Sequence, residues 1–210
     1  MLRTDIVIIV AQRLWQAGAG LLTMLLVAHF LTPIQQGWYY SFLSLATFSI
    51  LSDFGLLVVL VPITARLFVS LRWLSGGQVE GKQALQFCHL MGRSARFYLW
   101  LGLLFLILML PGGWLFFSWR GGVDSLPVGQ WLPVWISLII VTVINLLMLP
   151  FLLIVEGSGQ VGEVYAVKLA QGVLGAFGCW AVLVAGGGIW AAVMVPLWGA
   201  VAVAGWLLWR

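Results

Sequence analysis

Residues 169–209 read LAQGVLGAFGCWAVLVAGGGIWAAVMVPLWGAVAVAGWLLW, a run of 41 residues without Asp, Glu, Lys or Arg. A helix that crosses the hydrocarbon core of a bilayer needs about 20 apolar residues. The run is too long for one crossing and too short for three. Gly186-Gly187-Gly188 stands near its middle, and a glycine cluster ends a helix. The stretch therefore predicts two membrane spans joined by a tight turn.

Three more windows lack those four residue types: 14–52, 97–119 and 125–155. Thr32-Pro33-Ile34-Gln35-Gln36-Gly37 breaks the first of them. The chain then divides into six spans, at about 6–31, 37–65, 96–118, 131–155, 162–185 and 189–209. The second has 29 residues, about 43 Å of helix, so it must tilt or overrun the bilayer. Composition agrees with this division. Of 210 residues, 63% are hydrophobic and 8% charged, and the mean hydropathy is +1.11. Soluble domains are roughly 45–50% apolar and about 25% charged, so a water-soluble enzyme or binding module is excluded. Disorder is excluded by the same hydrophobicity. The apolar runs are continuous and do not alternate, which excludes a β-barrel. The expected fold is an all-α polytopic membrane protein, with one transmembrane domain over 1–210.

The net charge of +4 is read as topology and not as nucleic-acid binding. With the N-terminus in the cytoplasm, the inside segments hold Arg3, Arg66, Arg72, Lys82, Arg93, Arg96, Lys168 and Arg210. The outside loops hold only Arg120, and Arg13 lies within the first span. This positive-inside bias places both termini in the cytoplasm. Trp114, Trp119, Trp131 and Trp190 fall at outer span ends and Trp206 and Trp209 at inner ends, where amphipathic rings sit well. Cys88 and Cys179 are far apart and read as two reduced thiols. The apolar run Ile6–Ala11 is broken by Gln12-Arg13, too early for a cleaved signal, so the first helix is expected to remain a span.

The one sizeable loop is 66–95. Ser75-Gly76-Gly77 predicts a turn. After it, 78–95 sets an apolar stripe against Lys82, Arg93 and Arg96, the pattern of a helix lying at the membrane surface and feeding the third span.

Ionisable groups inside a span are costly, and each needs a reason. Arg13 lies in the first span with Gln12 and Gln16 one turn apart beside it, and Asp53 lies in the second. If these spans form a hairpin centred near residue 34.5, the two charges differ by three residues in depth, about 4.5 Å. An Arg13–Asp53 ion pair follows, either fixing helix packing or lining a charged cavity. Lys168 is expected to snorkel to the cytoplasmic interface or to meet an anionic substrate. Glu156 and Glu163 are expected in solvent. Asn145, in the middle of the fourth span, is expected to bond a neighbouring helix. Ala17-Gly18-Ala19-Gly20 and the trio Gly172, Gly175 and Gly178 are expected to allow close helix approach. There is no phosphate loop, HExxH or GxSxG, and no carboxylate pair placed for acid–base work. The chain is expected not to be an enzyme and to need no cofactor and no metal.

Several of these residues carry a family resemblance. Leu31-Thr32-Pro33, then Gly37-Trp38-Tyr39, then Asp53-Phe54-Gly55-Leu56 and Arg66 resemble the first hairpin of bacterial polysaccharide (O-antigen type) flippases. Those proteins belong to the multidrug/oligosaccharidyl-lipid/polysaccharide exporter superfamily. Gly157-Ser158-Gly159, the glycine run 186–188 and Ile189-Trp190-Ala191 resemble its fifth and sixth spans. The likeness covers roughly 85 residues. It implies a multi-pass protein of the bacterial inner membrane. It implies transport of a polyprenyl-pyrophosphate-linked oligosaccharide from the cytoplasmic to the outer leaflet by alternating access, in polysaccharide biosynthesis. It also implies cationic cavity residues for the pyrophosphate, with Arg13 first and Lys168 and Arg66 after it. Members have about twelve to fourteen spans in two halves. This chain is similar to the N-terminal half, and the substrate site of such transporters lies between repeats. A second six-span half, or a second copy of the chain, would complete the cavity. A cation or drug exporter of the same superfamily and a non-transporting six-span scaffold are the alternatives.

Overall fold

The computed structural model describes residues 2–49, 56–70, 72–73, 79–80, 82–119 and 126–209. Its helices are α1 (Leu2–Phe30), α2 (Pro33–Ala46), α3 (Leu56–Ser70), α4 (Lys82–Trp119), α5 (Val128–Gly157), α6 (Val161–Val184) and α7 (Ala191–Trp209). A short antiparallel pairing, Arg72–Trp73 against Val79–Glu80, lies between α3 and α4. The expected turn at Ser75-Gly76-Gly77 lies outside the described residues. Among the described residues, five helical segments are long and apolar enough to cross a membrane: Asp5–Phe30, Leu85–Trp119, Val128–Gly157, Val161–Val184 and Gly188–Trp209. Val58–Val69 is a shorter apolar helix.

The breaks between spans are made by local chemistry. Thr32 is the N-cap of α2, and its hydroxyl accepts from the Gln35 amide while the Gln35 side chain accepts from the Thr32 amide. Pro33 follows at the first helical position, where its missing N–H costs nothing. Gln36 closes the other side of the turn, donating from Nε2 to the carbonyls of Leu31 at 2.8 Å and Ala28 at 3.3 Å. These are carbonyls that the end of α1 leaves without helical donors. At the second glycine break, Gly186 and Gly188 adopt φ of 78° and 60°, a region that glycine enters without a Cβ penalty.

Two expected elements differ. The span 37–65 is not one helix among the described residues: α2 closes at Ala46 with Thr47 as its cap, and α3 begins after 50–55, which lie outside them. The surface segment 78–95 runs from Lys82 onward straight into the third span as one 38-residue helix. No Gly-Gly or Pro interrupts it there, and Arg93 and Arg96 simply occupy its exposed side.

Packing follows small residues and rings, because lipid gives apolar helices little reason to prefer one another. An aromatic cluster ties α2 to α4 and α5. Trp38 stacks on Phe117 at 4.9 Å and on Trp131 at 5.5 Å. Phe42 meets Phe117 edge-on at 5.0 Å, and Phe117 meets Trp135 at 5.3 Å. Trp135 is fully buried and rests on Gly113, where any Cβ would enter its ring. Its indole N–H donates to the Met109 carbonyl at 3.2 Å.

The glycine trio of α6 works inside the chain. Gly172 faces Trp15 of α1, while Gly175 and Gly178 face Val195 and Trp198 of α7. The Ala17–Gly20 segment behaves differently from expectation. Gly18 and Gly20 have nothing within 4 Å of where a Cβ would stand, so that face of α1 is open. The reason is that α1 does not pack along α2 as a hairpin. It packs along α6, and α2 turns away towards α5.

Candidate functional site

The divergence of α1 from α2 leaves a cavity of about 500 Å³. On α1 it is lined by Trp15, Gln16, Gly20 and Thr23; on α2 by Tyr39 and Tyr40; on α6 by Gly172 and Ala176. A second cavity, of about 650 Å³, lies between α2, α5 and α7. Its polar groups are Thr47 and Ser49, just past the end of α2, and Thr142 and Asn145 of α5. Leu43 and Val195 line both cavities, so the two spaces lie side by side at these side chains.

A polar clamp holds α7 at this point. Asn145 donates from Nδ2 to the Pro196 carbonyl at 2.8 Å and to its own helix at Val141 at 2.9 Å. Gln171 of α6 donates to the Gly199 carbonyl at 3.1 Å. Both amides crowd the bare Cα of Gly199, so glycine is what lets α5 and α6 grip the same turn of α7. The expected bond from Asn145 to a neighbouring helix is thus present.

Of the residues singled out in the sequence, Gln16 lines the first cavity. Arg13 is exposed and lies three residues before Gln16 on α1, so it occupies the same face one turn nearer the N-terminus. Gln12 is 4% exposed, and its Oε1 has no hydrogen-bond partner among the described residues. Trp15 Nε1 is buried and unpartnered in the same way. Asp53 lies outside the described residues, and with it the Arg13–Asp53 pair; the packed hairpin from which that pair was argued is not formed. Arg66 is exposed on α3 and lines neither cavity. Lys168 is also away from both. It pairs with Glu156 at 3.0 Å, with side chains 29% and 19% exposed, and its ammonium stands 4.6 Å over the Tyr165 ring. Glu156 is therefore not simply solvated, because the short turn from α5 to α6 brings it to Lys168. Glu163 accepts from Trp206 Nε1 at 2.9 Å.

Sequence reasoning missed Trp15, Thr23, Tyr39, Tyr40 and Thr142 as lining residues. The i, i+3 spacing of Thr142 and Asn145 on an otherwise apolar helix was the available signal. No Asp, Glu, Lys, Arg or His lines either cavity among the described residues. Nor do three His, Cys, Asp or Glu residues converge among them in a way that could hold a metal ion.

Compared with family models, with curated proteins and with solved structures, the chain matches none.

Proposed function

We propose that this chain is part of a bacterial inner-membrane transporter that moves a polyprenyl-pyrophosphate-linked oligosaccharide between leaflets. The observation that carries the reading is the pair of neighbouring cavities along the helices, whose linings share Leu43 and Val195. Alternating access needs a site whose two sides are parted by groups that can move, and two apolar side chains on different helices, shared by two cavities, suit that need. Arg13 lies on α1 one turn before Gln16, which lines the first cavity, and a guanidinium is suited to hold a phosphate in a bidentate manner. The sequence resemblance to O-antigen type flippases supplies the cargo. A second copy, or a second six-helix half, completes the path.

The scaffold alternative placed helix association on Gly172, Gly175 and Gly178. Those glycines are occupied by α1 and α7 of the same chain, which favours the transport reading. The cation-exporter alternative lacks support from the lining, since no carboxylate faces either cavity among the described residues.

The test is a leaflet assay in proteoliposomes with a fluorescent lipid-linked sugar. Protein-dependent flipping that falls on Arg13→Ala supports the reading. Flipping equal to that of empty liposomes, for a folded protein, overturns it.

A further inference from the structure

We infer that the second cavity binds an uncharged, hydroxyl-bearing group. The inference deepens the transport reading by naming what this cavity holds, and it can be tested by binding alone.

The argument is a count of protons. Thr47 Oγ1 donates to the Leu43 carbonyl at 2.7 Å. Thr142 Oγ1 donates to the Leu138 carbonyl at 2.7 Å. Asn145 spends both amide hydrogens, on Val141 and Pro196. With these bonds in place, each of the three side chains presents oxygen lone pairs to a ligand. Ser49 is the one lining hydroxyl whose proton is unspent among the described residues. The helical backbone offers no donors, because its amides are used within the helices.

An anion would find a single side-chain donor among the described lining residues, and giving up the hydration of a phosphate or carboxylate for one hydrogen bond is unfavourable. A cation would find acceptors but no counter-charge among the described lining residues, and a buried ammonium without a partner is costly as well. A neutral group that brings its own O–H donors satisfies both conditions. Leu138, Leu146 and Leu149 line the rest of the cavity, a surface suited to the C–H face of a polyol ring. A volume of about 650 Å³ lies within the range of small-molecule sites, roughly 300–1,000 Å³.

The experiment uses the full chain in nanodiscs and three photoreactive probes with the same diazirine-bearing alkyl chain. One ends in a glucoside, one in a primary ammonium and one in a phosphate monoester. Crosslinks are mapped by peptide mass spectrometry. The glucoside should label the α5 segment 138–149 at least about fivefold more than either charged probe, the worth of one neutral hydrogen bond. Thr142→Val, which keeps the side chain's shape, should lower that labelling by about the same factor, and so should Thr47→Val. Neither residue bonds to another helix through its side chain, so both variants should retain the wild-type melting temperature. Equal or stronger labelling by the phosphate or ammonium probe overturns the inference. So does unchanged glucoside labelling in both variants. Glucoside labelling without flipping would sink the transport reading and leave this site standing; flipping with the phosphate probe preferred here would do the reverse.

Discussion

Trp180 and Thr23 join α6 to α1 through a relayed hydrogen bond: the indole N–H donates to Thr23 Oγ1 at 2.8 Å, and that hydroxyl donates onward to the Ala19 carbonyl at 2.7 Å. Their separation is 157 residues. Trp15 faces Gly172, and Asp5 faces Gly162, at the same separation. A constant offset is the signature of two helices packed in parallel and in register over most of their length. Thr23→Val removes the acceptor at nearly constant shape. Interhelical bonds of this kind contribute about 0.6–2 kcal/mol in membranes, so the variant should melt a few degrees lower. It should also make α1 more accessible to thiol reagents at an introduced cysteine. An unchanged melting curve would show that the bond carries no net stability.

Gly113 is predicted to tolerate no side chain. Alanine there would drive its Cβ into the Trp135 ring, and overpacking typically costs about 1–3 kcal/mol. Trp135→Leu in the Gly113→Ala background should recover part of the loss, which a double-mutant cycle in thermal unfolding would measure. Purely additive effects would mean that the two sites do not meet.

Asn145 and Gln171 hold adjacent carbonyls of α7, so their losses should not add. Asn145→Leu and Gln171→Leu should each cost about 1 kcal/mol. The double variant should depart from the sum by at least about 0.5 kcal/mol, as expected of residues that share a partner helix. The check is a comparison of unfolding free energies for the four proteins.

Lys168→Met and Glu156→Gln should each destabilise, since each leaves a half-buried charge unpaired. Exchanging the pair, Lys168→Glu with Glu156→Lys, should restore most of the loss. Recovery no better than in the single variants would argue that packing of the lysine stem on Tyr165, and not charge, is what matters.

Arg13→Ala should leave stability within about 0.5 kcal/mol of wild type, because the side chain is exposed. Flipping should fall about tenfold or more, the worth of a charged hydrogen bond, and Arg13→Lys should recover part of it. A fall in melting temperature that matches the fall in activity would assign Arg13 to packing instead.

What the sequence made legible was what depends on near neighbours. Thr32, Gln35 and Gln36 announce a break because a capping box needs only four residues, and Gly186–Gly188 does so because positive φ is a property of one residue. Asn145 was legible as a helix-to-helix bond, since a lone amide in an apolar helix has few other uses. The partner of α1 was not legible. An apolar stripe says that a helix packs, but it does not name the partner, and Thr23 and Trp180 carry no mutual signal across 157 positions. The assumption that neighbouring spans pair therefore failed for α1 and α2, while the pairing argued for Arg13 turns on Asp53, which lies outside the described residues. The acceptor-only lining of the second cavity was hidden for a further reason. It depends on where hydroxyl and amide protons go, and Thr142 reads identically in sequence whether it donates or accepts.

The in-register partnership of α1 and α6 also orders events in time. Chains emerge from the N-terminus, so α1 is made first and its partner only after α2 to α5 have been added. During that interval α1 lacks the helix that Trp15 and Thr23 pack against in the finished fold. Loss of α6 by early termination would leave α1 permanently in that state, and such a fragment would be a natural target for membrane quality-control proteases.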